Sequence, residues 1–242
     1  MIHSENFKTS WHDTDGNRNV RPTQILTYFE ETSNLHMIAV GHPLDAVRDE
    51  AGLGFILSRL TMKFYTPVEA YKDIRVDTWT SEGRAFSTVR SFRLVENGEV
   101  AAEAVSLWAL VDINERKPVK ISSYDFGFCH EPPLEIDAPA RVSFPKELEL
   151  LRVGERRIYF SDCDYNVHMN NTRYPDMICD FLPDPKNMRL KALTLSFVNE
   201  AAFGHTLSVY RGKKGENTYL FRTVDENGIT CLEAEAEVEG NI

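Results

Sequence analysis

The chain is short of positive charge. Its 27 lysines and arginines stand against 37 aspartates and glutamates, a formal net charge of −10. That balance argues against a general nucleic-acid binder, and any acidic partner would have to meet a local basic patch. Cysteine is scarce as well. Cys129, Cys163, Cys179 and Cys231 lie far apart with no CxxC spacing, so reduced thiols are expected rather than disulfides. No apolar segment approaches the ~20 residues that a membrane helix needs. The start, Met1-Ile2-His3-Ser4-Glu5, lacks the basic region and apolar run of a secretory signal. A soluble, cytoplasmic chain without membrane insertion is the expectation. What is present, 42% hydrophobic and 11% aromatic residues, suffices for a real core in one large domain or two halves of about 120 residues.

One stretch stands out: Asp162-Cys163-Asp164-Tyr165-Asn166-Val167-His168-Met169-Asn170-Asn171-Thr172. A carboxylate, a carboxamide and an imidazole recur at every second position. Side chains at i, i+2 and i+4 point the same way only on extended or looped backbone, so a polar site on a loop is expected. The apolar-periodic segment Tyr174–Phe181 follows as a short helix.

Earlier, Phe7–Trp11 reads as a strand and Asp13–Val20 as a turn-rich loop. Pro22 suits a first helical turn. Ile25, Tyr28, Phe29, Thr32, Leu35, His36 and Ala39 then recur at helical spacing, with only polar residues such as Gln24, Glu30, Glu31 and Asn34 between them. Gly41 can close that helix, and residues 42–56 read as a helix-prone cover. Strand-like runs follow at Ile56–Tyr65, Ile74–Thr80, Ala85–Glu96 and Val100–Asp112. Asn97-Gly98 marks a hairpin between the last two.

The second half repeats this order. Asp13-Thr14-Asp15-Gly16-Asn17 matches Asp162-Cys163-Asp164-Tyr165-Asn166, 149 residues on. Leu60-Thr61-Met62-Lys63-Phe64 matches Leu193-Thr194-Leu195-Ser196-Phe197, 133 on, and Glu96-Asn97-Gly98 matches Glu226-Asn227-Gly228, 130 on. Three matches in one order imply an internal duplication. We therefore expect repeats at 1–131 and 151–242, joined by a proline-rich connector at 132–150, each with loop, helix and about four antiparallel strands.

Features shared by both copies are scaffold, and features of one copy are candidates for chemistry. Asp162, Asp164 and Asn166 have counterparts, but His168 falls opposite Asn19 and Glu200 opposite Pro67. The paired Asp-x-Asp-x-Asn loops resemble the start of a calcium loop, yet its sixth and twelfth positions hold Arg18 and Gln24, or Val167 and Arg173, not Gly and Glu. No metal is expected.

The Asp162–Tyr174 stretch resembles the second-half motif of acyl-ACP thioesterases, and the resemblance extends over nearly the whole chain. It implies an α+β tandem (double) hotdog fold, with antiparallel sheets each wrapped around a long helix. It also implies a thioester hydrolase of fatty acid biosynthesis that releases fatty acid from acyl carrier protein without a cofactor. The family's catalytic Asp, Asn, His and Glu fall on Asp164, Asn166, His168 and Glu200. Plant members carry a cysteine after that glutamate; here the position is Ala201, which excludes a thiol mechanism through that residue.

On this reading Glu200, in partly buried surroundings, is the general base for water. Asn166 and His168 supply N–H donors, the helix N-terminus near Asn171 or Thr172 adds more, and Asp164 organises the loop and supports charge on His168. Ile25, Phe29, Met37 and Leu44 of the first copy either line an acyl pocket or simply pack the core. Arg152, Arg156, Arg173, Arg189 and Lys214, among others, give the second half a source of the basic surface an acidic carrier needs. An acyl-CoA thioesterase and a non-catalytic acyl-binding protein are the rivals. Acyl chain length and oligomeric state, a homodimer included, are left open.

Overall fold

The computed structural model describes residues 1–240. Strand β1 (His3–Lys8) leads through a short 3₁₀ turn and the Asp13–Val20 loop into helix α1 (Pro22–Ala39) and helix α2 (Leu44–Ala51). Strands β2 (Leu53–Phe64), β3 (Asp73–Arg84), β4 (Ser87–Glu96) and β5 (Glu99–Asp112) complete the first copy, with a two-residue strand β6 (Lys117–Pro118) beside β5. The second copy runs β7 (Leu151–Arg157), loop, helix α3 (Tyr174–Asp180), β8 (Met188–Phe197), β9 (Thr206–Lys213), β10 (Thr218–Val224) and β11 (Thr230–Gly240).

All strands form one antiparallel sheet, ordered β1-β3-β4-β5-β2-β8-β11-β10-β9-β7 with β6 off the path. The order is a palindrome of the two copies. At its centre Thr61 pairs with Thr194, its own counterpart 133 residues on, so a pseudo-twofold axis passes between them. Both hydroxyls donate to the carbonyl of Pro139, at 3.3 and 2.6 Å, which ties the connector across the sheet at that axis.

Helix α1 follows from its pattern. Pro22 sits in the first turn, Gly41 at φ 85° follows the last, and Ile25, Leu26, Tyr28, Phe29 and Met37 are buried. Each such side chain contributes about 1.5–3 kcal/mol of burial. Helix α3 has seven residues against eighteen in α1. Pro183 disfavours helical backbone at Leu182, and Pro185 follows, so the second helix is short rather than long. The stretch read as a cover contains α2, closed by Gly52 at φ 65°. Nothing equivalent separates α3 from β8, which explains why the repeat offset falls from 149 to 133.

The Asn97-Gly98 turn has φ values of 51° and 86°, as a type I′ hairpin requires. β2 begins three residues before the expected start, and Ala85 and Phe86 turn the chain instead of opening β4. Ile25 and Phe29 lie in the main core, while Met37 joins a smaller cluster with Val47, Leu53, Leu110 and Phe126. Leu44 is exposed. The four cysteines are unpaired, and no described helix is long and apolar enough to cross a membrane.

Candidate active site

The loops before the two helices are copies in atomic detail. In the first, the Asp15 N–H donates to Asn19 O and the Asn17 N–H to Asp15 Oδ1. In the second, the Asp164 N–H donates to His168 O at 3.0 Å and the Asn166 N–H to Asp164 Oδ1 at 2.8 Å. Arg18 and Val167 occupy corresponding positions at φ 69° and 64°. For β-branched Val167 that conformation costs about 1–3 kcal/mol, and it fixes the chain between Asn166 and His168. Asp, Asn and the strained residue are thus loop architecture, present in both copies.

The copies also dock their loops alike. Asn19 bridges to Glu69, and His168 to Ala202. Both bridges agree with offsets of 149 and 133, which secures His168 against Asn19 and Glu200 against Pro67. The two residues peculiar to the second copy come together: His168 Nε2 lies 3.3 Å from Glu200 Oε2. The Glu200 side chain is 57% exposed, so the buried setting expected for it is not found. Water reaches it freely.

Asn166 is held from the other repeat. Arg48 on α2 donates to Asn166 Oδ1 at 2.9 Å, and its guanidinium stands 4.4 Å over the Tyr165 ring. With Oδ1 so engaged, the Asn166 Nδ2–H₂ group is the end left to donate. Asp164 does not touch the His168 ring through its side chain; its carboxylate accepts the Asn166 N–H, and Glu200 is the acid beside His168. The helix start differs from expectation too. The Thr172 N–H donates to Asn170 Oδ1 at 2.9 Å and the Arg173 N–H to Asn170 O, so of the two expected positions Thr172 is consumed by the cap.

No thiol competes as nucleophile near Glu200. Ala201 is buried, and the Cys231 Sγ lies 3.7 Å from the Glu200 carbonyl. Burial, with the charge of Asp225 next, pushes the Cys231 thiol up to about 11, so little thiolate is present at neutral pH. Much of the proposed basic surface is neutralised locally: Arg152 pairs with Glu155, Arg156 with Asp162, Arg189 with Glu239 and Lys214 with Glu235.

A cavity of about 450 Å³ opens on the other side of the axis. Asp15, Asn19, Pro67 and Cys179 are in its wall. Its place corresponds to that of the His168–Glu200 site: the first copy's loop and strand residues line it together with residues of α3 and β8 from the second copy.

The sequence singled out His168 and Glu200, which the structure brings into contact, but not Arg48. Arg48 precedes its partner by 118 residues, and nothing local marks it.

Two family models match the chain: the acyl-ACP thioesterase N-terminal domain over residues 1–124 and the C-terminal domain over residues 148–239. Among curated proteins it is similar to oleoyl-acyl carrier protein thioesterase 1, chloroplastic, of Arabidopsis thaliana, 22% identical over 83% of this chain and 60% of the relative. A palmitoyl-acyl carrier protein thioesterase of Gossypium hirsutum is 22% identical over 90% of this chain and 56% of its own length. The chain thus spans about 60% of the length of such relatives. Among solved structures, an acyl-ACP thioesterase from Bacteroides thetaiotaomicron superposes with a TM-score of 0.88, covering 98% of both chains at 22% identity. The 12:0-ACP thioesterase of Umbellularia californica gives 0.85, covering 99% and 98% at 16% identity. Both share the tandem hotdog fold.

Proposed function

The chain belongs to the acyl-ACP thioesterase family, and on that premise we propose that it hydrolyses the thioester of a fatty acyl-acyl carrier protein to free fatty acid and carrier thiol. The observation that carries this reading is the 3.3 Å contact of His168 with Glu200, two groups that the first copy lacks.

Glu200 takes a proton from water as the water oxygen bonds to the thioester carbon. Negative charge gathers on the former carbonyl oxygen, where the Asn166 Nδ2–H₂ and an imidazole N–H of His168 are the available donors. The C–S bond then breaks with its electron pair on sulfur, and the thiolate takes up the proton that Glu200 removed from the water, which restores the base. Asp164 keeps the loop in register through the Asn166 N–H. The reaction as proposed uses a base and N–H donors, the roles given to Glu200, Asn166 and His168, with water drawn from solvent. Acyl carrier protein is the proposed partner; the exposed Tyr159, Phe160 and Phe203 beside the site offer apolar contact surface for it.

One acyl chain should be presented on acyl carrier protein and on CoA in parallel, with released fatty acid followed by mass spectrometry. Faster turnover on the carrier protein is expected. A clear preference for CoA would overturn the substrate, and intact ligand after long incubation would overturn hydrolysis itself.

A further inference from the structure

Helix α1 carries one acid that its polar face does not explain. Glu30 follows buried Tyr28 and Phe29, and its Oε1 is sealed from solvent without a hydrogen-bond partner. The residue as a whole is only half-buried, and the sealed atom is one oxygen of its carboxyl. A buried polar atom left unpaired asks for an explanation.

The pseudo-twofold axis shows where it points. Residues 25–31 and 174–180 are buried in the same order along the helix, which sets Glu30 against Cys179. Cys179 lines the 450 Å³ cavity with Asp15, Asn19 and Pro67. Those three are the counterparts of Asp164, His168 and Glu200, so Glu30 belongs in the wall of the cleft that holds them. The electrostatics agree. Burial, and then the charge of Asp164, pushes the Glu30 carboxyl up to about 8. Asp15, the counterpart of Asp164, is likewise among the charges that act on Cys179 after burial, Asp176 and Asp180.

Several charged groups on elements packed against α1 are engaged elsewhere, while Asp180 on α3 and Asp45, Asp49 and Glu50 on α2 show no ion pair among the described residues. Glu5 on β1 meets His3, Asp77 on β3 meets Arg75, and Asp176 on α3 meets Arg21. Arg173 reaches the Ser161 carbonyl and Arg48 reaches Asn166. Tyr174 is itself pushed up, by burial first, and stays neutral. A carboxyl in this setting keeps its proton at neutral pH and has an O–H to give, with no described protein acceptor.

We propose that Glu30, supplied by the first repeat, is a catalytic residue whose neutral carboxyl donates a hydrogen bond to the thioester oxygen as that oxygen gains negative charge. This rests on the hydrolase reading above. A protonated acid in an apolar wall is a strong donor because it stabilises developing charge without carrying a charge of its own. The first repeat therefore contributes chemistry, and the cleft is composite: loop and Glu200 from one repeat, acid from the other.

The test is the pH profile of kcat/KM for the wild type, Glu30→Gln and Glu30→Ala on one acyl-carrier substrate. The carboxamide keeps a donor that cannot ionise. Glu30→Gln is expected within about threefold of wild type at pH 7 and free of the decline that wild type shows above about pH 8. Glu30→Ala is expected to lose about 10²–10³-fold, in kcat more than KM. Glu30→Ala within twofold of wild type, or Glu30→Gln as impaired as Glu30→Ala, overturns the proposal while leaving wild-type hydrolysis intact. A wild type that does not hydrolyse at all sinks the hydrolase reading instead. Melting checks the protonation separately. Because the folded carboxyl lies above its ordinary 4.5, its burial costs stability increasingly as pH rises from that value through about 8. Glu30→Gln should therefore melt higher than wild type at pH 9 and alongside it near pH 4. If Glu30→Ala does not fold, the Glu30→Gln profile decides alone, and an unchanged alkaline decline contradicts the proposal.

Discussion

At the first cleft Asn19 bridges to Glu69, and at the second His168 bridges to Ala202. The loops share their hydrogen bonds, their left-handed residue and their docking onto the following strand. Yet one cleft has Asn19 and Pro67 where the other has His168 and Glu200. Backbone geometry alone therefore does not make the site. The helices differ as well: only the first copy has α2, and only the second copy's loop is gripped by an arginine from it. The matching Asn17 donates to a backbone carbonyl, that of Lys186, at 3.0 Å. Duplication supplied two frames, and only one of them carries the paired imidazole and carboxylate of His168 and Glu200.

The comparison breaks hardest at Glu200. Glu200→Gln removes the base while keeping the shape, and should lower kcat by about 10²–10⁴-fold. Its counterpart change, Pro67→Ala, should leave kcat/KM within about twofold. Steady-state rates on acyl-carrier substrate check both, and a Glu200→Gln enzyme with wild-type kcat would remove Glu200 from the mechanism.

A smaller effect is expected at the grip on Asn166. Arg48→Ala frees the carboxamide to rotate and should cost about 2–13-fold in kcat, the ~0.5–1.5 kcal/mol of one net hydrogen bond. In an Asn166→Ala background the same change should cost little further, because the group it positions is gone. Full additivity in that double-mutant cycle would show that Arg48 acts elsewhere, on the carrier for instance.

The smallest effect belongs to the frame. Arg21 and Asp176 join the two repeats at 3.2 Å, with side chains 39% and 28% exposed. Such a pair contributes about 0–1 kcal/mol. Asp176→Asn should shift Tm by no more than about 2–4 °C and leave kcat alone. A loss of several times that in a melting scan would mean the repeats depend on this contact.

How much of this was legible beforehand differs by element. The matched runs around Asp13 and Asp162, and around Thr61 and Thr194, carried the duplication, and the palindromic sheet is its consequence. His168 and Glu200 were legible because each lacks a counterpart, although their 3.3 Å contact needed the fold. Glu30 was read as one of the polar residues between helical apolar positions, since an acid on a helix is ordinarily solvated. The missed signal was the same one: aligning the two helices sets an acid against a cysteine. Arg48 had no such signal, because its function depends on α2, which the second copy does not possess. The shortness of α3 was foreshadowed by Pro183 and Pro185, which end any helix there.

The central claim is that identical loops differ in chemistry through a few side chains. The measurement that tests it most directly compares His168→Ala and Asn19→Ala in kcat/KM on one acyl-carrier substrate. The two replaced residues occupy the same place in the two clefts. The account predicts a loss of about 10²-fold or more for His168→Ala and a change below about twofold for Asn19→Ala. Equal losses in the two variants, or none in either, would contradict it.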